Sequence, residues 1–515
     1  MVESFINFHK HLTNNLSLKR ENTIKPYPII ISTLFLFIIP TQANLWYLTR
    51  GHDRADDAWA VSVNSDGKIF WATTEWFPQA THNDILLYII DSTGQQLWQS
   101  QPLGDSLNRV AFIAVNREPY VYIGGRIERS SADLLLLALR RDQDTFVQQW
   151  QYTWDQVGRY EEVDGIGLDE DAIYLSGWTT PNFLNNDIVV QKLNTNGSLI
   201  WSTTWGGPGL EGANGHLALD NNHIYLASHF GAVDTSGDAM LITFAKDNGN
   251  YLWDSLWDGC HQDDNFYGLT MSSDSFLYCL GYTDTDTSNN RIQLDLVLVK
   301  YTRIGKKIWE RTWGGLSSEW GRAIIADGDS LIYVCANTAS YGAGATDIVL
   351  LKYDSSGVLQ SYRIWGGALD DVAHDVVKFG DYIYITGKTR NFGAEGEDAL
   401  LIKVNARTMQ FPDTLMAISD NICTYHTQLN IAPNPFNNQA IIEFTTTHQP
   451  VWLKVYDFTG QLVKTISLPK TQFGINRVTW NGRNDAGEPL PSGVYFVQLQ
   501  AGAISKSQKL LLLHP

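Results

Sequence analysis

One signal recurs seven times along the chain: an aspartate followed at once by three apolar residues. It stands at Asp84-Ile85-Leu86-Leu87, Asp133-Leu134-Leu135-Leu136, Asp187-Ile188-Val189-Val190 and Asp238-Ala239-Met240-Leu241. It returns at Asp295-Leu296-Val297-Leu298, Asp347-Ile348-Val349-Leu350 and Asp398-Ala399-Leu400-Leu401. Successive copies lie 49 to 57 residues apart. A period of that size demands like units that bury one another, because one unit alone leaves its apolar faces in water.

Each unit divides into four strands. In the third, strands are expected near 163–168 and 172–177, then after Asp187, and again around Trp201 and Trp205 beyond the turn Asn194-Thr195-Asn196-Gly197. Short strands separated by Gly/Asn/Asp turns are hairpin signals. Four of them with turns need about 45–55 residues, the size of a propeller blade. No helical periodicity is sustained across residues 45–415. The expectation is an all-β chain, a seven-bladed β-propeller followed by a small immunoglobulin-like β-sandwich.

The recurring residues fit a scaffold. Trp98, Trp150, Trp201, Trp253 and Trp309 occupy one point of the fourth strand, with Tyr362 and Phe411 in the last two units. Trp154, Trp205, Trp257, Trp313 and Trp365 follow about four residues later. Large aromatics can plug the widening gaps between radial sheets. The seven aspartates precede strands, where a carboxylate can accept backbone N–H groups and fix a turn. Trp46 in Leu45–Gly51 stands where Trp201 stands in its unit, so this first strand is expected on the outer edge of the seventh blade. Met409–Leu415 competes for that place. Such closure would protect the edges.

The Trp-Gly-Gly linkage, the Ile-Tyr-x-x-Gly strand, the Asp-apolar strand and the Asx-rich turn resemble the bacterial seven-bladed β-propeller repeat family. The resemblance covers residues 45–415. Units one and two depart, with Arg50-Gly51-His52 and Leu103-Gly104-Asp105 at the linkage. It implies a fold and an extracellular setting, but no common activity.

A basic lead (Lys10, Lys19, Arg20, Lys25), an apolar run from Ile29 to Ile39 and Thr41-Gln42-Ala43 read as a signal peptide over residues 1–43. The run is too short to span a membrane comfortably, and no transmembrane segment is expected after its removal. An uncleaved anchor is the alternative. The net charge of −18 argues against nucleic acid as a partner. Cys260, Cys279, Cys335 and Cys423 are irregularly spaced and are expected as free thiols.

The propeller is expected over residues 44–415 and a linker over 416–428. A C-terminal domain over 429–515 carries strand candidates at 440–445, 451–456, 477–480, 494–500 and 506–513. Pro433-Asn434-Pro435-Phe436, Val455-Tyr456-Asp457 with Gly460, Trp480-Asn481-Gly482-Arg483, Gly493-Val494-Tyr495-Phe496 and Lys509-Leu510-Leu511-Leu512 resemble the C-terminal sorting domain of type IX secretion cargo. They equally resemble the immunoglobulin-like module of flagellar hook-capping proteins. The first resemblance implies export to the surface through secretion machinery; a plain accessory sandwich is the alternative.

No HExxH, Ser/His/Asp or phosphate-loop motif is present, and histidines such as His52, His82, His216, His223, His229, His261 and His374 are scattered. Glu161-Glu162, Asp263-Asp264 and Asp370-Asp371 recur in equivalent linkers and read as solvated loops, though paired carboxylates can hydrolyse glycosides. No cofactor is expected; calcium is the one metal candidate, at Asp284-Thr285-Asp286-Thr287, which lacks the glycine and distal glutamate of an EF-hand. The favoured function is a secreted or outer-surface, non-catalytic scaffold binding an extracellular protein or glycan. The rival is a propeller enzyme. One form is a quinoprotein-like dehydrogenase, whose docking repeat Asp91–Trp98 resembles; the other is a glycan-active hydrolase or lyase.

Overall fold

Valine-, isoleucine-, leucine- and tyrosine-rich runs cut by Gly/Asn/Asp turns form strands throughout the computed structural model, and no helix occurs among the described residues. The structure describes residues 45–412 and 429–513, apart from 52–54, 78–81, 104–107, 116–118, 129–131, 144, 157, 181–184, 208, 232–236, 260–262, 286–292, 394–395, 446–450, 469–474 and 502–503. The expected signal segment 1–43 and linker 416–428 therefore lie outside it, as do Cys260, Cys423, His52, His261, Asp286 and Thr287. No helix there is long and apolar enough to cross a membrane.

Up to residue 405, the strands form seven four-stranded antiparallel sheets. Their innermost strands are Asp57–Val63, Asn108–Ala114, Tyr160–Leu168, Leu210–Leu219, Asp264–Met271, Glu319–Asp327 and Asp371–Phe379. Each packs against the innermost strands of the two neighbouring sheets, the seventh against the first, so the sheets form a closed ring. The fourth strand of the seventh sheet is Trp46–Arg50, paired antiparallel to Ala399–Lys403. The N-terminal strand thus closes the ring, and Met409–Pro412, the described part of the competing segment, does not.

The core is divided among the junctions. Seven buried clusters each join two adjacent sheets: Ala213, Leu226 and Ile242 meet Tyr174, Ile188 and Val190, for example, while Ile173 and Leu175 face the other way. Alternation within one strand therefore feeds two cores, which is why these strands read as continuous apolar runs.

Outer-strand tryptophans bridge adjacent sheets. Trp201 lies 6.4 Å from Tyr174 of its own sheet and Trp253 6.3 Å from Tyr225. Each also covers a turn of the next sheet. A Cβ on Gly249 would come within 2.7 Å of Trp201 and one on Gly305 within 2.7 Å of Trp253. Both glycines have positive φ, so the turn and the stacking demand the same residue. Trp150 follows this pattern with Tyr122 and Gly197, and Trp309 with Tyr278 and Gly357. Trp98 instead meets Phe146, because the second sheet turns at Gln143 rather than at a glycine. Phe411 packs on the core between the sixth and seventh sheets, and Trp46, 6.1 Å from Tyr384, takes the place the spacing assigned to it.

The C-terminal strands form two sheets. One joins Leu429–Ala432, Ala440–Thr445 and Ile475–Trp480; the other joins Leu462–Leu468, Val451–Asp457, Gly493–Ala501 and Ile504–Leu512. The strand Leu462–Leu468 was absent from the sequence expectation. Its residues are partly exposed on both faces, so it carries no clean alternation. Trp480 is buried between Phe436 and Tyr495, at 5.5 and 5.7 Å, and Gly482 packs on Leu512. The Asn434 side chain accepts from Leu511 N–H and donates to the Lys509 carbonyl, tying the Pro433–Pro435 segment to the last strand. Tyr495 donates its hydroxyl to the Pro491 carbonyl, just before Gly493 opens its strand.

Candidate functional site

A functional site on a sevenfold scaffold must lie where the units differ. Every innermost strand carries a bulge at the same register against its second strand, between Val163 and Gly165 in the third sheet and Phe266 and Gly268 in the fifth. The others fall between Asp57 and Ala60, Val110 and Phe112, Ala213 and Leu217, Gly321 and Ala323, and Ala373 and Asp375. A bulge re-aims the residue it leaves unpaired. Those residues include Trp59, Ala111, Asp164, His216, Tyr267, Arg322 and His374, all of which line one cavity on the ring axis, with a volume of about 90 Å³.

The seven contributions differ, and several interlock. The Trp59 ring stacks on His374 with centroids 3.9 Å apart. Arg109 stands over its indole at 4.6 Å, and Arg322 lies over Tyr267 at 5.3 Å. His374 Nε2 is 3.0 Å from Asp57 Oδ1. Burial keeps the His374 imidazole below its usual pKa, despite Asp57. Burial would raise Asp57, but His374, Lys388 and Arg109 together hold it below the usual carboxylate range. On His216, burial is outweighed by the Asp375 carboxylate 3.1 Å away, which raises its pKa. Asp164 is pushed well up by burial and by Glu162, which itself pairs with Arg126 at 2.7 Å. Trp59 Nε1, Asp164 Oδ2, Arg322 Nε and His374 Nδ1 have no hydrogen-bond partner among the described residues. The cavity can thus offer donors, a carboxyl of raised pKa and an aromatic face. Among the described residues that line it there is no serine, threonine or cysteine, and its one hydroxyl is that of Tyr267.

A larger groove of about 650 Å³ runs between the fourth and fifth sheets, lined by Asp220, His223, Trp253 and Arg303 among others. Its polar groups serve one another. Asp220 accepts from Asn222 N–H, His223 N–H and the Tyr225 hydroxyl, which with His223 Nδ1 at 2.9 Å outweigh burial and bring its pKa down to about 2. We therefore place the candidate site on the axis, where groups are left unsatisfied. Of the other histidines, His229 is held near pKa 4 by burial.

The seven aspartates sit at the junctions. Asp347 accepts from Ala343 and Gly344 N–H. Facing five of these aspartates (Asp133, Asp187, Asp238, Asp295 and Asp347) are acids at the start of the next innermost strand, and here the sequence expectation needs correcting. Glu161, Asp264 and Asp371 are not solvated: their exposures are 0%, 2% and 0%. Adjacent residues in a strand point to opposite sides, so one member of each acidic pair turns into the junction. Asp187, Asp295, Asp347 and Asp398 each lie against a glycine that leaves the preceding outer strand. A Cβ on Gly366 would stand 1.8 Å from Asp347 Oδ1, whereas one on Gly207 would meet nothing nearer than 3.6 Å. Gly366→Ala is therefore expected to lower the thermal unfolding midpoint by several degrees, and Gly207→Ala by little; equal midpoints would refute this steric role. Two junctions carry a third carboxylate, Asp133/Asp155/Glu161 and Asp238/Asp258/Asp264, and are the candidate cation ligands among the described residues. Asp284 accepts from Gln293 N–H and so fixes its own loop.

Residues 438–503 match the family model of the FlgD Ig-like domain. No curated protein shows significant similarity to the chain. Among solved structures it is similar to PorZ, a surface component of the type-IX secretion system of Porphyromonas gingivalis, at 12% identity over 88% of this chain and 74% of that one, with a TM-score of 0.26. It is also similar to Sqt1 of Chaetomium thermophilum (12%, 68% and 97%, TM-score 0.42) and to a puromycin hydrolase (13%, 75% and 58%, TM-score 0.43). Likeness this distant says nothing about activity.

Proposed function

We propose that this chain is an exported, non-catalytic propeller that binds an extracellular protein or glycan, with a C-terminal domain that serves as a type IX sorting module. The observation that carries the binding reading is the axial cavity. Its volume of about 90 Å³ is well below the roughly 300–1,000 Å³ of sites that enclose small molecules. Its His374–Asp57 pair is stacked under Trp59, and among the described lining residues the one hydroxyl is the Tyr267 phenol, which has Arg322 over its ring. What remains suits contact with a partner's protruding group at the mouth of the ring, where loops offer a broad surface. The sorting reading rests on the resemblance of residues 429–515 and on the FlgD Ig-like match within them.

A glycan-active enzyme is the second reading, favoured by Asp164, whose pKa is raised by burial and by Glu162 beside it. A glycan array probed with the intact mature chain, followed by product analysis of every glycan bound, separates the two. Binding without turnover, weakened at least tenfold by Trp59→Ala with Arg322→Ala, is the expected outcome; glycan cleavage would overturn the proposal. For the tail, residues 416–515 fused to a reporter should reach the surface of a type IX-competent host, and a reporter retained in the periplasm would refute the sorting role.

A further inference from the structure

We propose that the chain binds two calcium ions, one at the junction of the second and third sheets and one at the junction of the fourth and fifth. Each site is built the same way. An aspartate opens the third strand of one sheet (Asp133, Asp238), a second follows the tryptophan that ends its outer strand (Asp155, Asp258), and an acid stands at the start of the next innermost strand (Glu161, Asp264). Within each triad, ligand oxygens all lie within 4.8 Å of one another. Oxygens held about 2.4 Å from a common calcium ion can be no more than about 4.8 Å apart, so one ion can serve all three.

Acidic residues alone would not make a site. Two further observations point to a ligand. Glu161 is 0% exposed and its Oε2 has no hydrogen-bond partner; Asp264 is 2% exposed and its Oδ1 has none. These are buried carboxyl oxygens facing other acids, with burial raising Glu161 to about 7 and Asp264 to about 6. Glu211 and Asp371 at other junctions also hold an unpartnered oxygen, and the third carboxylate is what sets these two junctions apart. The second is a departure from the repeat. After Trp205, Trp313 and Trp365 the chain continues with Gly206, Gly314 and Gly366, where a Cβ would approach the strand-three aspartate within 2.2, 2.1 and 1.8 Å. Only after Trp154 and Trp257 does an aspartate take that position. Those two junctions thus replace the residue that packing favours with a third like charge. A hard divalent cation turns that repulsion into attraction, whereas protonation would leave the added aspartate without a use. Three carboxylates suit calcium, which takes six to eight oxygens in flexible geometry, better than magnesium, which retains its waters.

Terbium reports calcium sites by emission sensitised from nearby indoles, and Trp154 and Trp257 directly precede Asp155 and Asp258. The full mature chain, stripped with chelator, should bind two terbium ions displaceable by calcium, and calcium should raise its thermal unfolding midpoint. Asp155→Gly and Asp258→Gly restore the residue of the other junctions, so both should fold. Circular dichroism melts in chelator are expected to give midpoints no lower than the parent's. Each should reduce stoichiometry from two to one, and the double variant should lose both the emission and the calcium-dependent rise. Undiminished emission in the double variant, or no effect of millimolar calcium on the parent's midpoint, would overturn the proposal.

Discussion

Deletion of residues 44–51 from the mature chain is expected to lower the thermal unfolding midpoint by on the order of 5–10 °C and to promote self-association. The reason is geometric. Trp46–Arg50 is the only segment among the described residues that belongs to a sheet far from it in sequence, pairing with Ala399–Lys403 across the whole ring. Its side chains reach both neighbours. Tyr47 packs on Trp365 and Phe392 at 5.8 and 5.4 Å, while Trp46 donates its Nε1–H to the Ser92 carbonyl and Arg50 donates to Gln96. Withdrawing Trp46, Tyr47 and Leu48 from partly buried positions forfeits about 1–2 kcal/mol each. The lost ladder brings the total to roughly 5 kcal/mol, which for a ring of this size amounts to several degrees. The exposed edge of Asp398–Asn405 is apolar and unprotected, hence the association. Differential scanning calorimetry with light scattering checks both parts. An unchanged midpoint would mean that the ring does not depend on its N-terminal strand for closure.

That closure was legible in the sequence because Trp46 repeats a position already seen in later units. The same holds for the strand order and for the plugging tryptophans: anything occurring several times could be recognised by its period. The axial cavity was hidden for the converse reason. Its residues share one structural position but no residue type, running through Trp59, Ala111, Asp164, His216, Tyr267, Arg322 and His374. A faint signal did exist. Tyr267, Arg322 and His374 are bulky or polar residues set among small and apolar ones in strands that should be buried, and Gly165, Gly268 and Gly321 adjoin the bulges. The burial of the acids is hidden in the sequence because Glu161-Glu162 and Asp370-Asp371 read as pairs, although strand alternation separates their fates. Only the partner facing each acid across the junction decides whether its burial is costly, and that partner lies some 25 residues upstream (Asp347 for Asp371).

Those facing acids are expected to make the ring more stable in mild acid than in mild alkali. At the fifth junction, burial and the neighbouring Glu319 and Asp284 carboxylates push Asp295 up to about 7. At the sixth, burial lifts Asp347 to about 6 even though Ala343 and Gly344 N–H groups favour its charge, with Asp371 and Asp370 adding to the rise. Burial also raises Asp371 and Glu319, against hydrogen bonds from Gly367 N–H and Gly315 N–H respectively. In the unfolded chain these groups titrate near 4, so between about pH 4 and 7 the folded state holds protons that the unfolded state has lost. Folding is favoured by those protons at the lower end of that window, and the benefit disappears as pH climbs through the folded values. His229 and His374, whose pKa values are lowered by burial, act in the opposite sense below about 6.5. They are two groups against six in the absence of a cation, since burial also raises Glu161 to about 7 and Asp264 to about 6, and each unit of separation is worth about 1.4 kcal/mol whichever way it acts. In the presence of chelator the midpoint should therefore be several degrees higher at pH 5.5 than at pH 8. Asp295→Asn removes one buried charge without changing shape, and should raise the midpoint at pH 8 while flattening the slope. A midpoint that falls between pH 8 and 5.5, with Asp295→Asn no more stable than the parent at pH 8, would show that these carboxylates are ionised without penalty and that the junctions accommodate their charge by some other means.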